Sequence, residues 1–266
     1  IDQKVIRALR KSNMSTLNCV EEVELAGKLI KLHPWADQAK FARTGAEANS
    51  LAIRIARAYT KKNRVIVCGY HGWHDWYLSA NLKKSNILDT HLFNDLRISG
   101  VPKYLKNQTL SFNYNNIDRL KKLLKNKKND IACLIMEVER DNKPHKNFLS
   151  EIRKICTQKK VILIFDECTT GFRENYGGRH LKYKIYPDIA MFGKALGNGY
   201  AITSIIGKRK FFKKFDDTFA SSTFWSERSG YVAAIATLDE MKRIKSWHKI
   251  NQNSNHLKNG LKKIFE

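Results

Sequence analysis

The stretch IFDECTTGFR, residues 164–173, places two acidic residues directly after an apolar run. The run from Val161 to Phe165 is typical of a strand that is buried on both faces, so Asp166 would stand at the buried end of a strand. A buried carboxylate costs free energy unless a cationic group meets it. The position of Asp166 therefore predicts a cationic partner at the end of this strand.

Lys194 is the second residue with chemical potential. It lies in GKALGNGYA, residues 193–201, between an apolar strand and a Gly-rich turn. A lysine held among apolar neighbours such as Phe192 and Leu196 can have a lowered pKa and act as a nucleophilic amine. The glycine spacing matches neither a P-loop nor a dinucleotide-binding fingerprint. Because most lysines are solvated, this pattern alone also fits a surface lysine.

The segment TGAEA, residues 44–48, has the pattern of a helix start. Thr44 and Glu47 fit a capping box, with the helix beginning near Gly45. The free N–H groups of a helix N-terminus can bind an anion. An ordinary capped helix explains the same residues, so two interpretations are open.

The segment CGYHGWHDWY, residues 68–77, follows an apolar run and is rich in aromatic residues. Tyr70 could stack on a planar ligand. His71 and His74 have the H-x-x-H spacing that occurs in metal sites, but no third ligand lies nearby in the sequence. Metal binding is therefore not expected.

Short apolar strands alternate with amphipathic helices along the chain, with residues 40–43 as a short connection between them. This alternation predicts an α/β fold with a mostly parallel sheet, in which ligands bind at the carboxyl ends of the strands. Asp166, Glu137, Tyr70 and His71 all fall at or just after strand ends. The predicted helices are 20–34, 46–62, 116–126, 147–160 and 226–244, and the predicted strands are 64–70, 131–138, 161–167, one within 187–195, and 201–208.

The formal net charge of +24 raises the question of nucleic-acid binding. The lysines are spread along the whole chain and no nucleic-acid motif accompanies them, so a Lys-rich solvated surface is favoured. A basic α/β binding module stays open as an alternative. No apolar stretch of about 20 residues is present, so no membrane span is predicted. The five scattered cysteines form no CxxC pair and favour a reducing cytoplasm.

The ends of the sequence suggest a piece of a longer protein. The chain begins with Ile1 and not with Met, and NHLKNGLKKIFE at its end has the pattern of an unfinished amphipathic helix. We expect coding sequence on both sides of this chain.

Five motifs in order resemble the class III pyridoxal-phosphate-dependent aminotransferases of fold type I, and most closely their glutamate-1-semialdehyde 2,1-aminomutase branch. They are TGAEANSLAIRIARAYT, GYHGWHDW, DECTTGFR, PDIAMFGKALGNG and SSTFWSE, and the resemblance covers about residues 10–245. It implies a large domain that binds pyridoxal 5'-phosphate over residues 41–245, with a mostly parallel sheet of about seven strands flanked by helices. Residues 1–40 would be a helical lead-in, and residues 246–266 would begin a linker to a missing small domain.

The resemblance also implies roles for the two residues described first. Lys194 would form the internal Schiff base with the cofactor and, once released, would shuttle the proton. Asp166 would pair with the protonated pyridine nitrogen, which keeps the ring electron-withdrawing. The cation that meets this buried carboxylate would then lie on the ligand and not on the protein.

The other implied residues surround the cofactor. Tyr70 would lie against the ring face, with His71 also in the cofactor site. Gly45 and Ala46 would hold the phosphate through backbone N–H groups, although many relatives carry Ser or Thr where Ala46 stands. The remaining matches are Glu137 and Asn142 near the ring and its phenolic oxygen, and Thr223, which would reach the phosphate of a neighbouring subunit.

These roles imply a cytoplasmic homodimer with shared active sites that acts on a small-molecule amino donor and acceptor. An aminomutase would move the amino group within one molecule, whereas an aminotransferase would pass it between two. Both would use Lys194 and Asp166, so the sequence does not separate them. A truncated relative without catalytic activity is a further alternative.

Overall fold

The computed structural model describes residues 1–14, 17–84, 87–91, 94–126 and 130–265. Seven strands form one sheet in the order β1-β7-β6-β5-β4-β2-β3. All neighbours from β6 through β3 are parallel, whereas β7 is antiparallel to both β6 and β1. The strands are β1 (Gln38–Ala42), β2 (Arg64–Cys68), β3 (Thr109–Ser111), β4 (Ile131–Glu137), β5 (Ile162–Asp166), β6 (Ile189–Phe192) and β7 (Thr203–Gly207).

Helices cover both faces of this sheet because the side chains of its central strands alternate between two apolar cores. In β5, Leu163 and Phe165 enter the core that contains α2, α6 and α9, whereas Ile162 and Ile164 enter the core that contains α3. The helices are α1 (Asp2–Leu9), α2 (Val20–Leu32), α3 (Gly45–Thr60), α4 (Asp75–Leu78), α5 (Ile117–Lys125), α6 (Phe148–Lys159), α7 (His180–Tyr183), α8 (Arg209–Phe212), α9 (Arg228–Ile244) and α10 (Ser246–Phe265).

The structure confirms the predicted α/β class and the five predicted helices and five predicted strands, with small differences at their ends. The predicted connection at residues 40–43 is wrong, because Lys40 and Phe41 belong to β1. This edge strand has only five residues, and Lys40 interrupts its apolar pattern, so the sequence does not reveal it. In the structure the Lys40 ammonium lies 4.4 Å from the centre of the Phe215 ring. Neither β3 nor α1 was predicted.

In the part of the chain that the structure describes, no helix is long and apolar enough to cross a lipid bilayer. All five cysteines are free, and Cys68, Cys133, Cys156 and Cys168 are buried.

The carboxyl ends of the central strands bring the predicted site residues to one edge of the sheet. Glu137 at the end of β4 is in register with Asp166 at the end of β5. Asp166 is in register with Met191 of β6, three residues before Lys194. The loop that carries Tyr70 and His71 begins just after β2. The sheet thus gathers residues from distant parts of the chain, as parallel α/β sheets do at their ligand sites.

Candidate active site

A cavity of about 350 Å³ lies at this edge of the sheet. Its walls combine the end of β5, the turn after β6, the start of α3 and the loop after β2. The predicted residues that line it are Gly45, Ala46, Tyr70, Asp166 and Lys194.

Asp166 is buried and accepts three hydrogen bonds. Asn49 Nδ2 and His71 Nδ1 each lie 2.9 Å from its Oδ2, and the Cys168 N–H donates to Oδ1 over 3.1 Å. Burial acts to raise the pKa of Asp166, but the hydrogen bond and the electrostatic interaction with His71, and then the other two donors, outweigh it and lower the pKa. Asp166 is therefore ionised at neutral pH, and one of its roughly four acceptor positions is left for a ligand.

Lys194 follows β6 in a left-handed backbone conformation, with a φ of 43°. Non-glycine residues rarely adopt this region, and such strain is often found at functional sites. The apolar neighbours Phe192 and Leu196 are buried, but the Lys194 side chain is exposed. Its Nζ donates to Thr169 Oγ1 over 2.7 Å. The amine is thus held in the cavity by a hydroxyl group that follows Asp166 by three residues.

The start of α3 forms another wall of the cavity, and the predicted capping box is present. Thr44 Oγ1 accepts from the Glu47 N–H, and the Glu47 carboxylate accepts from the Thr44 N–H. Among the described residues, no backbone acceptor bonds the N–H groups of Gly45 and Ala46. Two donors and the positive end of the helix dipole are therefore available to an anion.

Gly72 brings the loop after β2 against this helix start. It has a φ of +98°, and a Cβ atom at this position would lie 2.8 Å from the Cβ of Ala46. A larger residue would force the loop away from α3. Tyr70, Trp73 and His74 of the same loop line the cavity. Tyr70 is half-buried, and its ring packs edge-on against Tyr77.

The two histidines of the H-x-x-H motif have different partners. His71 bonds Asp166, whereas His74 Nδ1 lies 2.6 Å from Ser50 Oγ. Across the described ranges of the chain, no group of three or more His, Cys, Asp or Glu residues could hold a metal ion.

Four predicted residues lie outside the walls of the cavity: His71, which bonds Asp166 from behind the wall, and Glu137, Asn142 and Thr223. Glu137 is buried, and its Oε2 accepts from the Tyr70 N–H and from Arg140, so it supports the loop that carries Tyr70. Burial raises the pKa of Glu137. Asn142 is exposed and shares a separate small cavity with Glu137 and Arg140. Thr223 is exposed at the start of a short 3-10 helix, Thr223–Ser226.

Arg43 holds the segment that carries Thr223. Its guanidinium donates to the backbone carbonyls of Phe224, Trp225 and Glu227, over 2.5 to 3.0 Å, and to that of Ala201 over 3.1 Å. Because the planar guanidinium presents five N–H donors, one side chain can bind four carbonyls at once. Arg43 therefore joins the end of β1 to the segment before α9.

Glu167 takes no part in lining the cavity. It is fully buried and accepts hydrogen bonds from the Arg179 N–H, the Thr170 hydroxyl, and both the N–H and Nδ1 of His180. Trp35 Nε1 donates to His180 Nε2, so the His180 proton lies on Nδ1. Burial acts to raise the pKa of Glu167, but His180 outweighs it and lowers the pKa. Glu167 therefore fixes the turn that follows Asp166.

Sequence reasoning missed Asn49 and Thr169. Asn49 is a buried polar residue among the apolar positions of α3, which is a weak signal that it faces a partner. Thr169 belongs to the quoted DECTTGFR motif, but its contact with Lys194 joins residues 25 positions apart. Sequence spacing does not reveal that contact.

Comparison with solved structures defines the class of fold. An omega-transaminase from Sphaerobacter thermophilus superposes with a TM-score of 0.80 at 24% identity, over 90% of this chain and 57% of that one. The sheet order and its covering helices are therefore those of a transaminase fold.

The sequence defines the family. The profile of the class III aminotransferases matches residues 2–266, and the chain belongs to this family. It is 34% identical over 255 residues to a 3-aminobutyryl-CoA aminotransferase from Cloacimonas acidaminovorans, covering 91% of this chain and 56% of that protein. It is 34% identical over 272 residues to a glutamate-1-semialdehyde 2,1-aminomutase from Wigglesworthia glossinidia brevipalpis, covering 98% and 62%. The chain thus spans less than two thirds of either relative.

Proposed function

We propose that this chain binds pyridoxal 5'-phosphate in the cavity between β5, β6 and α3 and belongs to an enzyme that transfers amino groups. One observation carries the proposal: an ionised buried carboxylate, a lysine amine and the free N–H groups of a helix start all face one cavity. A flat cationic ring with an aldehyde and a phosphate has a complementary group for each of them.

The residues present fit this cofactor. Asp166 keeps an acceptor position for a protonated ring nitrogen. Asn49 Oδ1 is buried without a hydrogen-bond partner in the described structure, which is typical of a polar group that meets a ligand. Gly72 leaves room for the loop to close on Ala46, beside the N–H groups that would receive the phosphate.

The bound cofactor would supply an electron sink for carbanion formation on an amine substrate. Asp166 would hold the ring nitrogen in its protonated state, and His71 and Asn49 would keep that carboxylate ionised and correctly oriented. Lys194 would hold the cofactor covalently through Nζ and then move a proton as general base. Thr169 Oγ1 would orient that amine.

The substrates would be a small-molecule amino donor and acceptor. The relatives include both an aminotransferase and aminomutases, and both reactions would use the same Lys194 and Asp166. Thr223 is exposed, as it would be if it reached the cofactor phosphate of a second subunit, so the assembly would be a homodimer with shared sites. Glu137 and Asn142 would lie near the ring of the cofactor. Free cysteines suit a cytoplasmic location.

The chain would consist of three segments with different structural roles. Residues 1–40 would lead into the large domain at residues 41–245, which contains all the residues named above. Residues 246–266, most of which form α10, would begin a linker to a smaller domain. No residue of α10 is buried, which supports this role.

The experiment is an absorbance spectrum of the purified protein after incubation with pyridoxal 5'-phosphate and dialysis. The wild type should keep a visible band that borohydride abolishes, and Lys194→Ala should lack it. Lys258→Ala, which removes an exposed lysine of α10, should keep the band. A folded wild type without the band, or a Lys194→Ala variant that retains it, would contradict the proposal.

A further inference from the structure

We infer that His74 is a binding residue for the phosphate of the cofactor and donates a hydrogen bond to it from Nε2. This inference rests on the proposed function, because it names a contact within the same cavity. His74 lines that cavity, and none of the roles described above uses it.

The hydrogen bonds of Ser50 determine which nitrogen of His74 carries the proton. Trp76 Nε1 can only donate, and it lies 3.0 Å from Ser50 Oγ, so the hydroxyl oxygen accepts this bond. The other contact of Ser50 Oγ is His74 Nδ1 at 2.6 Å, and no other described group accepts the hydroxyl proton. Ser50 therefore donates to Nδ1, and the neutral ring carries its proton on Nε2.

The Nε2–H group of His74 has no acceptor among the described residues of the protein. The ring is half-buried, so a ligand in the cavity can reach it. Nδ1 is occupied by Ser50, which fixes the ring before any ligand arrives. A donor that is held in place and left unused is suited to recognise an anion.

The position of His74 relative to α3 points to the phosphate end of the cofactor. Ser50 follows Ala46 by four residues, so the two lie on the same face of the helix. Gly72 packs directly against Ala46, two residues before His74. The loop therefore holds His74 beside the helix start whose Gly45 and Ala46 N–H groups would bind the phosphate.

Because few cationic side chains line the described walls of the cavity, an additional hydrogen-bond donor would strengthen phosphate binding. Lys194 is the only lysine or arginine that lines the cavity in the described part of the chain. Arg43 lies next to the helix start, but its guanidinium is engaged with four backbone carbonyls. A phosphate at this helix would depend on N–H donors of the protein, and His74 adds one that forms a stronger bond to a charged acceptor than to a neutral one.

The test compares the binding of pyridoxal 5'-phosphate with that of pyridoxal, which lacks the phosphate. Dissociation constants would be measured by equilibrium dialysis for the wild type, His74→Ala and His74→Gln. His74→Ala should weaken binding of pyridoxal 5'-phosphate by roughly tenfold to a hundredfold, as expected for a hydrogen bond to a charged group. Its affinity for pyridoxal should stay unchanged. His74→Gln keeps an N–H donor and should recover part of the loss.

Two control variants make the result specific. Ser50→Ala removes the group that fixes the ring and should weaken phosphate binding less than His74→Ala. His256→Ala removes an exposed histidine of α10 and should change neither affinity. Thermal unfolding would confirm that each variant is folded.

Each outcome separates this inference from the proposed function. If the wild type binds pyridoxal 5'-phosphate and His74→Ala binds it equally well, the inference is wrong and the proposed function stands. An equal loss of affinity for both ligands would assign His74 to the ring or to packing, which also overturns the inference. A wild type that binds neither ligand would overturn both.

Discussion

His71 Nδ1 lies 2.9 Å from Asp166 Oδ2, and both side chains are buried at the end of β5. The bond joins residues 95 positions apart and places a donor of the protein on the carboxylate that was expected to meet a cation on the ligand. Because Asp166 is ionised, His71 Nδ1 carries the proton and donates it into the bond. The protein therefore prepares this carboxylate before any ligand binds.

The first prediction is that the hydrogen bond from His71 keeps Asp166 ionised and stabilises the fold. We expect His71→Leu to raise the pKa of Asp166 and to lower the free energy of unfolding by about 1.5–3 kcal/mol, because a buried charged acceptor loses a donor. His71→Asn places an amide N–H near the position of Nδ1 and should recover most of the loss. Urea unfolding at pH 7 measures both effects. Equal stability of the leucine variant and the wild type would contradict this role.

The second prediction is that the close approach of Gly72 to Ala46 is needed for cofactor binding, and Gly100 provides a matched control. Gly72→Ala introduces a Cβ only 2.8 Å from that of Ala46, in addition to strain at a φ of +98°. Gly100 has a φ of +91°, but nothing lies within 4 Å of its added Cβ. We expect both alanine variants to lose about 1 kcal/mol of stability from backbone strain. Only Gly72→Ala should also weaken the binding of pyridoxal 5'-phosphate.

The comparison of the two dissociation constants isolates the contact with Ala46. Similar affinities in Gly72→Ala and Gly100→Ala would mean that the approach of the loop to α3 is not needed for the site.

The fold was largely predictable because its central strands are continuous apolar runs and its helices have a clear 3.6-residue period. The capping box at Thr44 was also predictable, since both of its residues lie within one helical turn. The edge strand β1 was not, because Lys40 interrupts a run of only five residues.

The site was predictable in its residue types and not in its contacts. Asp166 and Lys194 stood out because each follows an apolar strand. Asn49 reaches Asp166 across 117 positions, and only the assembled sheet and α3 bring them together. The resemblance to a known family supplied the roles that spacing alone left open.

The third prediction concerns Arg43 and the stability of the segment that carries Thr223. Arg43→Lys replaces a fork that binds four carbonyls with a point charge that has three donors. We expect the amides of the 3-10 helix Thr223–Ser226 to exchange with solvent at least about tenfold faster, since each lost hydrogen bond removes roughly 1 kcal/mol. Hydrogen exchange with mass spectrometry measures this change.

The control for this variant is Arg54→Lys on α3. Arg54 NH1 donates to one carbonyl, that of Thr218, so its replacement should leave the exchange of residues 223–226 unchanged. Equal exchange in the two variants would show that Arg43 does not hold the segment.

The fourth prediction concerns the pH dependence of the free energy of unfolding, which follows from two buried histidines. Burial lowers the pKa of His33 to about 4, and its Nε2 accepts from the Gly178 N–H while Nδ1 donates to the Leu29 carbonyl. Burial, and then the electrostatic effect of His71, lowers the pKa of His91 to about 4 as well. Both histidines are therefore neutral in the folded protein at pH 6, whereas an unfolded histidine has a pKa of about 6.5.

The sign of the effect follows from these values. At these two histidines the unfolded chain binds more protons than the folded protein between about pH 6.5 and pH 4, so their contribution to stability falls as the pH falls through this window. The raised pKa of Glu137 acts in the opposite sense and offsets part of this loss. The contribution of the histidines is fully present above about pH 6.5 and amounts to roughly 3 kcal/mol for each histidine. The lowered pKa values of Asp166 and Glu167 act in a separate window, because unfolded carboxyl groups take up protons only near about pH 4 and below.

Urea unfolding at several values between pH 7 and pH 4.5 measures this dependence. We expect the wild type to lose stability steadily across the range. His33→Gln should be less stable at pH 7, because its two hydrogen bonds are disturbed, but its stability should fall less steeply with pH. His256→Gln, at an exposed position of α10, should follow the slope of the wild type. A His33→Gln slope equal to that of the wild type would mean that His33 takes up its proton without unfolding.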